Sequence, residues 1–174
     1  MALLHVITAP DPRLKRKSKP VARVDDRIRR LMADMLETMY AEDGIGLSAP
    51  QVGALERVIV VDIGGEGGKP APLRIANPEI LWRSEERVVC NEGCLSLPEY
   101  YAEVERPAEI RLRYLDEHGE IREREATGLL STCIQHEVDH LEGVLFVDHV
   151  SALKRGIILR KLAKAKRLQT AVPA

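Results

Sequence analysis

The segment Gln135-His136-Glu137-Val138-Asp139-His140 constrains this chain more than any other. On an α-helix, residues four apart lie one above the other about 6 Å along the axis, so His136 and His140 can direct ring nitrogens at one metal ion. Glu137 lies about 100° round such a helix from His136 and about 60° from His140, close enough to lean toward the same ion without displacing either ligand. That is the place of a general base, and H-E-x-x-H inside a helix is a strong signal for a hydrolytic metal site. The context is helical: a helix is expected near residues 128 to 142, ending at Gly143, a suitable left-handed stop.

A catalytic site of this kind needs a third protein ligand, with water in the open position. Three cysteines are available, Cys90, Cys94 and Cys133. Cys133 shares a helical face with His136, but the axial rise from Cys133 to His140 is about 10.5 Å, too far for a short side chain to reach an ion centred between the histidines. It reads instead as a small buried hydrophobe. The third ligand therefore comes from another segment facing the helix. Cys90 lies in the strand-like run Arg87-Val88-Val89-Cys90, and Cys94 follows Gly93, which permits close backbone approach. Spacing leaves both open, with Cys94 modestly ahead.

The rest of the chain sets the frame for that helix. At 174 residues it suits one domain with a single core. We read 1–174 as a single catalytic domain. Hydrophobic residues make up 45% and aromatics 3%, so the core is expected to be aliphatic. Residues Arg13 to Lys19 read as an extended basic arm. Ile28, Leu31, Met32, Met35, Leu36 and Met39 recur at helical steps, which predicts a helix over 26–40 capped by Asp25 or Asp26. Val58 to Ile63 reads as a buried strand and Gly64 to Pro72 as a loop. The glycines of that loop lack the Gly-Lys-Ser/Thr ending and following helix of a phosphate loop. Ile110, Leu112 and Tyr114 alternate, and with a turn at 116–119 and a return over 120–125 they form a hairpin. The fold class is α+β, with strands clustered around a central metal-binding helix, flanked by an N-terminal and a C-terminal helix.

Charge is divided unevenly. From Ser151 onward there are seven basic side chains and no acidic ones, leaving nineteen basic against twenty-seven acidic in residues 1–150, a body of −8. A basic helix is expected over about 151–167. Leu153, Ile157, Ile158 and Leu162 would form its packing stripe, and Lys154, Arg155, Lys161 and Lys164 would face solvent. An anionic partner is expected for this tail alone, with no DNA and no membrane partner. The longest apolar run is far short of the roughly 20 residues that span a bilayer. Three cysteines in a chain this long favour a reducing compartment. Residues 1–10 show no secretion signal, so the expectation is a cytoplasmic protein of bacterial type, or a mature organellar form. His5, His118 and His149 show no partner pattern and read as ordinary histidines.

Three separated segments resemble the signature motifs of peptide deformylases, in order and spacing. They are Gly44-Ile45-Gly46-Leu47-Ser48-Ala49-Pro50-Gln51, Glu92-Gly93-Cys94-Leu95-Ser96, and Gln135-His136-Glu137-Val138-Asp139-His140-Leu141-Glu142-Gly143. The resemblance extends from the early arm through Asp148. It implies a hydrolase that removes the N-formyl group from the initiator methionine of nascent polypeptides. Cys94, His136 and His140 would hold one divalent metal, Fe(II) in the cell, although such a donor set also suits zinc, nickel or cobalt. Glu137 would handle protons. Gln51, the Leu95 N–H and the Gly46 backbone would contact substrate, with Ile45, Leu129 and Cys133 lining the methionine pocket. Members of the family also use a C-terminal helix to dock on the ribosome. Ser48 stands where many members carry alanine, and Tyr101 falls near a position where many bacterial members carry arginine.

On residues alone, Gln51 also reads as a loop amide satisfying nearby backbone, and Gly44 and Gly46 as turn formers. Two rival functions remain: a metallopeptidase built on the same helix, and a silent metal-binding module that docks on ribosomes. An intact Glu137 favours catalysis, because a structural metal site has no use for a base there.

Overall fold

The computed structural model describes residues 2–171. Helix α1 spans Asp26–Ala41, and its N-cap is Asp25, whose carboxylate accepts from the Ile28 N–H. Ile28, Met32, Met35 and Met39 are fully buried along one side. Such side chains contribute roughly 1.5–3 kcal/mol each on burial, so packing rather than helix propensity holds α1 in place.

Seven strands follow: β1 Gly46–Ser48, β2 Val58–Val61, β3 Leu73–Arg83, β4 Arg87–Cys94, β5 Leu97–Pro107, β6 Ile110–Leu115 and β7 Ile121–Ala126. Five form an antiparallel sheet in the order β1-β2-β3-β6-β7, while β4 and β5 pair as a separate hairpin. Helix α2, Gly128–Leu141, packs against β1, β2 and β5, between the two sheets. Strand β2 is apolar throughout because both its faces are covered. Val58 and Val60 meet α1, and Ile59 and Val61 join the cluster that includes Ile134 and Leu141 of α2. Gly143 has φ 73° and lies against the Lys15 backbone, where no Cβ would fit, so it ends α2 as expected.

This is the expected α+β arrangement around a central helix, with five corrections. The stretch 13–19 is not an extended arm throughout: a 3-10 turn spans Pro12–Lys15, capped by the Asp11 carboxylate on the Arg13 N–H. The strand beginning at Val58 ends at Val61, because the Asp62 carboxylate turns the chain by accepting from the Gly64 and Ala71 N–H groups. The loop beyond it holds a short 3-10 turn at Glu66–Gly68. Helix α3 spans Ala152–Thr170, and only Ile158 and Leu162 are buried; Leu153 is 73% exposed and Ile157 also lies open. The packing stripe is therefore narrower than the sequence pattern: Ile158 and Leu162 alone join the buried cluster of Ile7, Leu14, Phe146 and Val147, and α3 contacts the body mainly at the 146–149 turn. Arg155 is likewise not free in solvent: it is half-buried and 3.6 Å from Asp148. Among the described residues no helix is long and apolar enough to cross a membrane.

Candidate metal centre

Helix α2 carries His136 and His140 on one buried face, with His136 8% exposed and His140 fully covered. The third group arrives from β4. Its register with β5 shifts between Gly93 and Cys94, and this irregularity turns the Cys94 thiol toward the helix. Cys94 Sγ lies 3.3 Å from His140 Nε2, and one ligand atom from each of Cys94, His136 and His140 falls within 4.8 Å of the others. One thiolate and two imidazoles at such separations suit a divalent ion of the zinc, iron, cobalt or nickel type. Burial, and the charge of the neighbouring His136 ring, push His140 well below its usual pKa, which leaves a neutral ring with a lone pair to donate. Cys90 and Cys133 lie elsewhere. Cys90 Sγ is 3.7 Å from Thr132 Oγ1, and the buried Cys133 Sγ is 3.5 Å from the Ile45 carbonyl.

Glu137 is also buried, and its Oε2 has no hydrogen-bond partner. Burial pushes its carboxyl up to about 7, against the opposing effects of the His136 charge and the Ser48 hydroxyl. The facing surface is Gly46, where a Cβ would come within 2.5 Å of Glu137 Oε1 and 2.8 Å of Cys133 Sγ. Gly46 is thus more than a turn former: the absence of a side chain makes the space in which Glu137 and Cys133 sit. Gln51 closes another side, its Nε2 3.1 Å from Ser96 Oγ and 3.5 Å from Cys94 Sγ. Leu95 follows Cys94 directly and borders the same cavity.

A buried charge network stands behind these groups. His136 Nδ1 lies 2.8 Å from Glu92 Oε1, and because the ionised carboxylate only accepts, Nδ1 carries a proton, so Nε2 is the nitrogen that would hold a cation in place of its own proton. Arg106, 4% exposed, grips Glu92 through Nε at 2.7 Å and Nη2 at 3.0 Å, and reaches Asp139 Oδ2 at 2.8 Å. His149 Nε2 completes the chain at 2.8 Å from the same Asp139 oxygen, so His149 has a partner after all. Burial works against the Glu92 charge, but the hydrogen bonds from His136 and Arg106 hold its pKa below the usual carboxylate range. None of Glu92, Arg106, Asp139 and His149 stood out in the sequence as supporting a metal ligand. The one signal was acidic residues inside two of the motifs, Glu92 and Asp139. Replacing Glu92 with glutamine should weaken metal binding by about 10- to 100-fold, as for other residues that orient a ligating histidine. Competition with a chelator would measure it, and unchanged affinity would remove Glu92 from the support of the site.

Gln51, Glu92, Cys94, Leu95, His136 and Glu137 border a cavity of about 470 Å³, lined also by Ile45, Leu129 and Cys133. Ile45 and Leu129 are 43% and 54% exposed, which places them at its open side. Tyr101, paired with Gly93 across the hairpin, lays its ring over the Gly93 backbone at the same opening. The model of the polypeptide deformylase family matches residues 3–156. The chain belongs to that family. It is 56% identical to a peptide deformylase of Phenylobacterium zucineum over 94% of this chain and 97% of that one. It is 55% identical to one from Rhizorhabdus wittichii, over 98% and 99%. The crystal structure of peptide deformylase from Ehrlichia chaffeensis superposes with a TM-score of 0.92 at 39% identity, covering 97% of this chain and 99% of that one. The activity is accordingly that of a peptide deformylase, a metal-dependent hydrolase.

Proposed function

We propose that this chain, acting as a single catalytic domain over 1–174, hydrolyses the N-formyl group from the terminal methionine of newly made polypeptides and releases formate. The observation that carries this reading is the buried Glu137 carboxylate, whose Oε2 has no hydrogen-bond partner, beside the Cys94, His136 and His140 cluster at a cavity open to solvent. A divalent ion held by those three residues supplies Lewis acidity and an acidified water. Glu137 takes the proton of the attacking water and returns it to the departing amine. The Gln51 amide and the Leu95 N–H donate to the oxygen that gains charge, each such donor being worth roughly 3–4 kcal/mol in comparable sites. The methionine side chain enters between Ile45, Leu129 and Cys133, alongside the Gly46 backbone. Turnover of formyl-Met-Ala, with none on acetyl-Met-Ala and no cleavage of Met-Ala, is the expected result. Release of alanine from Met-Ala would favour a metallopeptidase, and inertness toward all three a silent module.

For the metal we infer Fe(II), supported by the thiolate and two imidazoles and by the family resemblance. Cys94 borders an open cavity, so an iron form is exposed to oxidation at the metal or at the thiolate. Iron-loaded protein should lose activity in air faster than matched nickel or zinc forms; equal lifetimes would count against iron's place in this account.

The cytoplasm is the compartment this reading implies, and the ribosome the docking partner of α3. Lys154, Lys161 and Lys164 are exposed along the helix, which supports an anionic surface as its target. Affinity for ribosomes should fall steeply with salt, and neutralising these three lysines should flatten the slope while leaving turnover of a short formyl peptide within about twofold. Salt-independent or absent binding of the intact chain would leave only a solvated basic face.

A further inference from the structure

Ser48 ends β1 three residues before Gln51 and is fully buried. Its backbone N–H donates to Gln51 Oε1 at 2.9 Å, and its hydroxyl donates to the same oxygen at 2.8 Å. An amide oxygen has two acceptor positions, and these two donors fill them. The Gln51 side chain is therefore held with its oxygen toward β1 and its Nε2 toward Ser96 Oγ and Cys94 Sγ. A reversed amide would set its NH2 group against the Ser48 N–H, a donor that cannot turn to accept. The hydroxyl adds a second restraint on the same atom, and it is buried where water does not compete.

We propose that Ser48 is a positioning residue for deformylation: its hydroxyl fixes the Gln51 amide so that Nε2 points at Cys94 and at the oxygen of the bound formyl group. The proposal rests on reading Gln51 as a donor to that oxygen. It assigns Ser48 no contact with substrate, and it predicts an effect carried wholly through Gln51. The Ser48 hydroxyl is also placed to donate to the Glu137 carboxylate, whose pKa it lowers, but its 2.8 Å contact is with Gln51 Oε1, the acceptor on which the proposal rests. The two routes can be told apart by coupling.

The experiment uses the full chain in four forms: unaltered, Ser48→Ala, Gln51→Ala and the double variant, each loaded with cobalt and assayed on formyl-Met-Ala. Ser48→Ala removes one buried oxygen and retains the backbone donor, so folding and cobalt stoichiometry should be retained. Its kcat should fall about three- to tenfold, the rate equivalent of one neutral hydrogen bond, with KM within about twofold. In the Gln51→Ala background the same substitution should change kcat by less than about 1.5-fold, because the group it positions is gone. The thiolate-to-cobalt absorption band should shift in Ser48→Ala in the direction seen for Gln51→Ala, a readout independent of turnover. An unchanged kcat in Ser48→Ala, or equal losses in both backgrounds, would overturn the proposal while leaving Gln51 as a donor. Full activity in Gln51→Ala would overturn that reading of Gln51 and this proposal with it.

Discussion

Glu137→Gln should bind metal at full stoichiometry and turn over formyl-Met-Ala at least about 100-fold more slowly, the lower end of what a positioned acid–base group contributes. The substitution keeps the volume and the contact with Gly46 but removes the carboxylate that accepts the proton. Gly46 offers an independent check on the same geometry. A methyl group there would collide with Glu137 Oε1 and Cys133 Sγ, so Gly46→Ala should also lose activity, by displacing the base rather than deleting it. Near-normal turnover by folded, metal-loaded Glu137→Gln protein would remove Glu137 from the mechanism. Stopped-flow measurement with elemental analysis of the same samples settles both halves.

Metal content should fall to background in Cys94→Ala and stay near stoichiometric in Cys133→Ala and Cys90→Ala. Two histidines on one turn of helix are a poor site alone, and Cys94 is the sulfur brought against His140. Cys133 points to the Ile45 carbonyl and the Gly46 surface, so its loss should enlarge the methionine pocket and raise KM for formyl-Met peptides. The reverse pattern of metal contents would end the assignment. Activity follows metal in Cys94→Ala and should be lost with it.

Helix α2 was legible from the residues because its evidence is local: a four-residue spacing on one helix and a glycine that ends it. Helix α1 was legible for the same reason, through the period of its buried methionines and isoleucine. The α3 pattern was legible as a helix but not in its depth of packing, since an apolar stripe does not say how far the body beneath it extends; Leu153 lies past that edge. Strand β5 escaped because its inward side includes Arg106, which alternation reads as solvent-facing, and β3 because Asn77-Pro78 and two register shifts interrupt its pattern.

The site divides in the same way. Spacing alone placed His136, His140 and Glu137, ruled Cys133 out as a ligand, and left Cys94 against Cys90 undecided. In the structure Cys94, after a register shift in the β4–β5 hairpin, is the sulfur brought against His140, and that shift is a property of two strands that only pairing creates. Tertiary packing also decided why Gly46 carries no side chain, why a buried arginine is tolerated between Glu92 and Asp139, and which way the Gln51 amide faces. Each of these is a contact between segments at least three and up to ninety-one residues apart, whose energies depend on distance, burial and the direction of a donor. Helical periodicity in the sequence determines which side chains share a face. What they meet across that face is determined by the fold.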